Sequence, residues 1–390
     1  MNLALDEYDA RMTLQHAEQS GPIEASSEKR VVYLFGAGAT QACVAHSGSN
    51  RSLLMAALRS PIAEKARESV GEHSGVRRLA NEVLDDETDV EHLLTFLDES
   101  QSQAYRDFAE KLREAFSSVL RDGLLEVQSD ASPNHSGLYA ALIDMHEIPG
   151  IGERLKGFLT LNYDIFLEHA ILERHNLSVD YGITIDGQAL LERRALPVLK
   201  LHGSFGWAHS WPIRIITLDS QDAFWIPPGI RKPKSEYPFN VIWGRARELL
   251  DCDILRIVGC NLGPNDWDLI SLLFTTKHLH ASSPPYDIEI ISPLATARKI
   301  STLFPYLKIK SLVDLPLIGD QILSEALTIG REEYDNLTSE QRPDTDSSVD
   351  ERVKNPFAYW LRQKGEVMLR EVGRIDTRTR IFQDFMDSAT

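Results

Sequence analysis

Val31-Val32-Tyr33-Leu34-Phe35-Gly36-Ala37-Gly38-Ala39-Thr40 decides the fold of this chain. Val31 to Leu34 form an unbroken apolar run, the pattern of a strand buried on both faces of a sheet. The run opens into Gly-Ala-Gly, where missing side chains let backbone N–H groups come close to a phosphate. Residues 30–44 therefore read as a strand, a glycine turn and the start of a helix. Gln41 stands where a dinucleotide fingerprint has its third glycine, and no Gly-Lys-Ser/Thr follows, so neither Gly-x-Gly-x-x-Gly nor a P-loop is present. By itself the turn is equally well a tight strand-to-helix connection.

Four further apolar runs end in chemistry-bearing residues. Gly157 to Leu161 reads as a strand leading to Asn162 and Asp164, and a helix follows from Asp164 to His175 with Ile165, Leu167, Ala170 and Leu172 as its apolar residues. Val198 to Leu201 leads to His202-Gly203, and Ile254 to Val258 to Gly259-Cys260-Asn261-Leu262. Asp266 then opens a helix carrying Leu269, Ile270, Leu272 and Leu273, and Ile288 to Ile291 ends at Ser292-Pro293. Short apolar strands alternating with helices argue an α/β fold, with a parallel sheet covered on both faces. Ligands in such sheets bind beyond the carboxyl ends of the strands, where each of these residues falls. Asn162 and Asp164 also suit plain helix capping. His202 suits a structural role or that of a general base for a ribose hydroxyl or a water. Gly259 to Asp266 suits a well-capped strand-to-helix loop.

In this order the segments resemble the sirtuin-like NAD-binding domain, in its divergent bacterial, zinc-free form. The likeness covers about residues 30–45 and 155–295. It implies a Rossmann-like sheet in which Gly36, Ala37, Gly38, Ala39 and Thr40 hold the NAD pyrophosphate. It implies that Asn162 lies by the nicotinamide ribose and a water, that Asp164 holds the nicotinamide amide and that His202 is the base. Leu161 replaces the Gln usual in the family. Gly259, Cys260 and Asn261 would contact the second phosphate and a ribose, with Asn261 where Ser is usual. Ser292 stands where the family has an Asn that binds a ribose hydroxyl. The activity implied is hydrolysis of NAD at the nicotinamide–ribose bond, with NAD as substrate and no zinc. Relatives of this size look like antiviral effectors that deplete NAD, gated by assembly into a homo-oligomer or by a partner such as a HerA-type ATPase. A zinc-free deacylase or ADP-ribosyl transferase, and a non-catalytic NAD or ADP-ribose sensor, are the competing readings.

Composition narrows the choice. The 390 residues suffice for about two to three domains. A net charge of -17, from 41 basic and 58 acidic side chains, opposes a broad grip on nucleic acid. Three scattered cysteines, Cys43, Cys252 and Cys260, form no Cys-x-x-Cys pair, so a zinc ribbon has no ligands and a disulfide framework none either. No apolar run reaches the roughly 18 residues that would span a bilayer, and the polar start lacks a signal-peptide core, so a cytoplasmic location is expected.

The organisation expected is an N-terminal arm over residues 1–29, with a short helix around Leu3 to Ala17. The Rossmann-like domain follows over 30–45 and 155–330, with a large helical insertion at 46–154. In the insertion, Thr88 to Glu91 fits a capping box ahead of Val90, Leu93, Leu94 and Leu97. Phe108, Leu112, Phe116 and Leu120 line one helical face, and Asp130 to His135 reads as a loop. A polar linker is expected at 331–352 and a helical C-terminal tail at 353–390, its apolar residues packing on the main domain or on a neighbouring subunit. The arm and the tail are the surfaces expected to serve assembly.

Overall fold

A computed structural model describes residues 28–70, 77–78, 80–81, 84, 89–129, 135–148, 150–173, 177–183, 185–186, 194–208, 213–215, 223–227, 235–262, 266–279, 286–303, 309–312, 355–372 and 385–386. The expected helix at Leu3 to Ala17, most of the loop at Asp130 to His135 and the linker at 331–352 lie outside them.

The chain builds an α/β Rossmann-like fold around a parallel sheet of seven strands: β1 (Lys29–Phe35), β2 (Glu153–Thr160), β3 (Leu177–Asp180), β5 (Arg194–Lys200), β9 (Ile254–Val258), β10 (Asp287–Ile291) and β11 (Ile309–Ser311). Their order across the sheet is β11-β10-β9-β1-β2-β5-β3. β1 is central, and from Val31 to Phe35 it is fully buried, as its continuous apolar run requires. Its neighbours β2 and β9 lead the chain outward in opposite directions, so the topological switch point lies at β1, where a ligand crevice is expected. Phe35 pairs with Thr160 and Val258, Thr160 with Lys200, and Val258 with Ile291. Five strands thus finish level, and the next residue of each stands on one edge: Gly36, Leu161, Leu201, Gly259 and Ser292.

A second, mixed sheet joins β4 (Ile185–Asp186), β6 (Gly203–Ala208), β7 (Ile213–Ile215) and β8 (Ala223–Trp225) in the order β4-β7-β6-β8. It grows directly from the end of β5.

Ten helices are present among the described residues: α1 (Ala37–His46), α2 (Met55–Glu68), α3 (Val90–Glu99), α4 (Gln103–Ser129), α5 (Gly137–Met145), α6 (Phe166–Leu172), α7 (Phe239–Leu249), α8 (Trp267–Leu279), α9 (Leu294–Leu303) and α10 (Pro356–Val372). The apolar faces of α2, α3 and the first part of α4 close on each other as a separate small core that includes Leu94, Phe108 and Phe116. α5 and the last turns of α4 belong instead to the main core. The α3 cap differs from the sequence expectation. Asp89 rather than Thr88 is the N-cap, its carboxylate accepting the N–H groups of Glu91 at 3.0 Å and His92 at 3.2 Å. Both residues suit the position, and with aspartate as the cap the helix opens one residue later, at the buried Val90.

The tail helix α10 lies on the main sheet and buries Phe357, Trp360 and Leu361 in the main core. Beneath it, three neighbouring strands carry a polar row, Tyr33–Arg256–Glu289. Arg256 bonds Glu153 through both terminal nitrogens at 2.6 and 2.8 Å and Glu289 at 2.7 Å. Its guanidinium lies 5.2 Å from the Trp360 ring centre, and Lys364 of α10 reaches Glu153 at 2.9 Å. No helix among the described residues is long and apolar enough to cross a membrane.

Candidate functional site

The level strand ends hold a connected polar network. Asn162, on the segment leaving β2, donates its amide hydrogens to the Gly36 carbonyl at 2.9 Å and to Thr40 Oγ1 at 2.8 Å. A carbonyl oxygen only accepts, so the group facing Gly36 is the amide nitrogen and the orientation of Asn162 is settled. Its Oδ1 therefore faces away from the glycine turn. Thr40 takes the bond from Asn162 and passes its own hydrogen to Asp164 Oδ2 at 2.5 Å. Asp164 Oδ1 accepts the Phe166 N–H at 3.0 Å, at the start of α6. All three side chains are buried. Tyr139 of α5 also bonds Thr40, and burial beside Cys43 and Asp164 raises its pKa. Burial raises that of the Cys43 thiol likewise, with Asp164 adding to the effect.

His202 follows β5. Leu161 donates to the Phe35 carbonyl and Leu201 to the Thr160 carbonyl, each at 3.0 Å, so pairing continues one residue past each strand. Asn162 and His202 thus leave neighbouring strand ends, whose spacing is about 4.8 Å. The His202 ring is buried, with its centre 6.4 Å from that of Tyr163. Tyr163 in turn stacks on Phe205 at 5.1 Å and meets Trp225 edge-on at 5.4 Å. Phe116 of α4 stacks on Trp225 at 5.7 Å, which ties the small core of α2, α3 and α4 to this aromatic group. Burial pushes the Tyr163 hydroxyl well above its usual pKa, and the hydroxyl donates to the Ile226 carbonyl at 2.8 Å. Behind the site, buried Lys200 donates to the Asp164 carbonyl and to Glu168 at 2.8 Å, fixing the segment that carries Asp164.

The two glycine turns interlock. Gly36 N–H bonds the Val258 carbonyl at 3.0 Å, Gly38 N–H the Gly259 carbonyl at 2.8 Å, and Ala39 N–H the Gly36 carbonyl at 2.9 Å. These donors, read from the sequence as phosphate ligands, are engaged within the protein. The Ala37 N–H, at the exposed tip of the turn, has no such partner among the described residues. Gly259 adopts φ +58, and a Cβ there would stand 2.2 Å from the Ala39 nitrogen. Ser292 Oγ accepts the Gly259 N–H at 3.1 Å, so the buried hydroxyl braces this turn. Cys260 is buried against Gly36, and Asn261 is exposed, its Oδ1 accepting from Lys299 of α9 at 3.0 Å.

The structure thus brings Gly36, Thr40, Asn162 and Asp164 into one bonded group, with His202 at the adjoining strand end. Gly259, Cys260 and Asn261 form the neighbouring turn, which Ser292 braces. The sequence reading missed Tyr139, Lys200 and Lys299. Only Lys200, a charge at the end of an apolar strand, carried a local signal. Among the described residues no group of three or more His, Cys, Asp and Glu side chains is placed to hold a metal ion, and all three cysteines are buried outside any disulfide.

The fold and site define an α/β protein with a buried polar network at the switch point of a parallel sheet. No protein-family model and no curated protein matches the chain. Among solved structures it matches a point mutant of a Sir2 homologue in complex with ADP-ribose, at 17% identity over 69% of this chain and 82% of that one, with a TM-score of 0.31. A likeness that loose places no residue.

Proposed function

We propose that this protein hydrolyses NAD at the bond between nicotinamide and ribose, releasing nicotinamide and ADP-ribose. The observation that carries the reading is the orientation of Asn162. With both amide hydrogens held by Gly36 and Thr40, only its Oδ1 is left for a further bond, an acceptor suited to a ribose hydroxyl or a water. In the reaction the C1′–N1 bond breaks and its electron pair neutralises the nicotinamide ring, leaving an oxocarbenium-like ribose. Water adds to C1′ and gives up a proton, for which His202 is the nearby base. Asn162 orients that water or the ribose hydroxyl, and Asp164 stands at the nicotinamide end.

The test is nicotinamide release by purified protein incubated with NAD alone. Asn162→Ala and His202→Ala are each expected to lower it by about 100- to 10,000-fold while the fold survives. Normal turnover by both variants would refute the assignment. A deacylase would need an acyl-lysine substrate before consuming NAD, so release from NAD alone separates that reading.

A second reading has its own support. Both Asp164 oxygens accept internal bonds, as a bracing residue would. A sensor that binds NAD or ADP-ribose without cleaving it would show binding with no nicotinamide and no dependence on His202. The role as an antiviral effector, the homo-oligomer and the HerA-type ATPase partner are proposed from the sequence resemblance alone. The apolar face of α10 is covered by the chain's own core, which leaves other surfaces for assembly.

A further inference from the structure

The engaged glycine turn poses a question of charge. A dinucleotide carries two negative charges on its diphosphate, yet the N–H groups of Gly36, Gly38 and Ala39 are bonded inside the protein. Lys200, at the end of β5, is buried in an ion pair with Glu168, and Arg51, beyond α1, pairs with Glu126. Lys299 differs. It projects from α9, the helix following β10, and its Nζ reaches Asn261 Oδ1 at 3.0 Å, over the turn that follows β9. It is exposed, and no carboxylate pairs with it among the described residues. An amide oxygen fixes the direction of the ammonium without cancelling its charge. In a chain of net charge -17, a cation kept uncompensated beside the switch point is a local exception.

We infer that Lys299, aimed by Asn261, is the phosphate-binding cation of the crevice and sets its affinity for the diphosphate of the ligand. This rests on the NAD reading above. It replaces the expected cradle of glycine N–H groups with one charged side chain supported by an amide.

Titration of the full chain with ADP-ribose tests it. Lys299→Gln should weaken binding about 5- to 20-fold, the range for losing one charge-assisted hydrogen bond at a partly solvated site. Lys299→Arg should restore most of the affinity. The dependence of affinity on salt should become shallower in Lys299→Gln, because one ionic contact is gone. Lys111→Gln, an exposed lysine of α4 paired with Glu114, is the control for removing a surface charge and should bind as wild type does. Equal affinity and equal salt dependence in Lys299→Gln and wild type would overturn the inference and leave the NAD reading standing. A wild-type protein that binds neither ADP-ribose nor NAD would overturn the NAD reading, and the inference with it.

Discussion

Gly259→Ala tests the interlock of the two turns. Three costs add at this position. The backbone is left-handed at φ +58, which an alanine tolerates at about 1–2 kcal/mol. The new Cβ would stand 2.2 Å from the Ala39 nitrogen and 2.3 Å from the Gly38 carbonyl carbon, both backbone atoms that cannot swing aside. Relieving that contact requires the turns to part by about 1 Å, which weakens the bonds from Gly38 to Gly259 and from Gly36 to Val258, each worth about 1 kcal/mol. The expected loss is about 3–5 kcal/mol. Two comparisons separate the causes. Gly48→Ala carries φ +85 but meets nothing within 4 Å, so only the conformational cost of about 1 kcal/mol remains. Gly36→Ala has an ordinary φ of -114 but a Cβ 2.6 Å from the Cys260 Cα, so only the clash remains. Urea unfolding midpoints rank the three, and hydrogen exchange at the Gly36 and Gly38 amides reports the turns directly. If Gly259→Ala lost no more stability than Gly48→Ala and kept the Gly38 amide protected, the interlock would be wrong.

The polar row beneath α10 gives two more predictions. Arg256 donates to the Tyr33 hydroxyl at 2.9 Å, so the tyrosine hydrogen goes to His146 Nε2 at 2.8 Å, and burial, with the Arg256 charge, holds that imidazole neutral with its pKa lowered to about 3. A depressed pKa means stability present above the unfolded value and lost as pH falls, so wild type should lose about 2 kcal/mol between pH 7 and pH 5 that His146→Gln does not. Urea midpoints at the two pH values measure the difference, and parallel pH profiles for the two proteins would contradict it. For Glu153, burial opposes ionisation, but Arg256 and Lys364 outweigh it and bring the pKa down to about 2, so the pairing is complete above pH 4.5 and fades as pH falls toward 2. Arg256→Met leaves that carboxylate buried without its guanidinium, and thermal unfolding near neutral pH should report a loss of about 3–5 kcal/mol, recovered in part as Glu153 protonates on acidification; a loss under 1 kcal/mol would argue against the pairing.

Much of the large sheet was legible because its strands are buried on both faces. β9 and β10 match the apolar runs read from the sequence to within a residue, and the chemistry-bearing residues fall at their carboxyl ends. The mixed sheet was not legible, because β4, β7 and β8 span only two or three residues each and offer too little alternation to read. β11 escaped for the same reason of length, and β3 because Leu177-Ser178-Val179-Asp180 carries only two apolar residues. At the site, residue types could be read but not their bonds. Local spacing suggests that Gly38 offers its N–H outward, whereas the acceptor that takes it, Gly259, lies far along the chain. Lys299 was silent because nothing near it in sequence marks a helix lysine as the partner of Asn261. Arg256 did leave a trace, as a lone charge inside the apolar run Ile254 to Val258.

That lone charge has a consequence for the helix above it. A helix seated by greasy contacts alone could slide or roll by a turn and still cover apolar surface. α10 cannot, because Trp360 meets the guanidinium and Lys364, one turn later, meets its carboxylate partner. Moving by a single turn would break both matches at once and strand ions in a dry place, so α10 has one berth on the sheet.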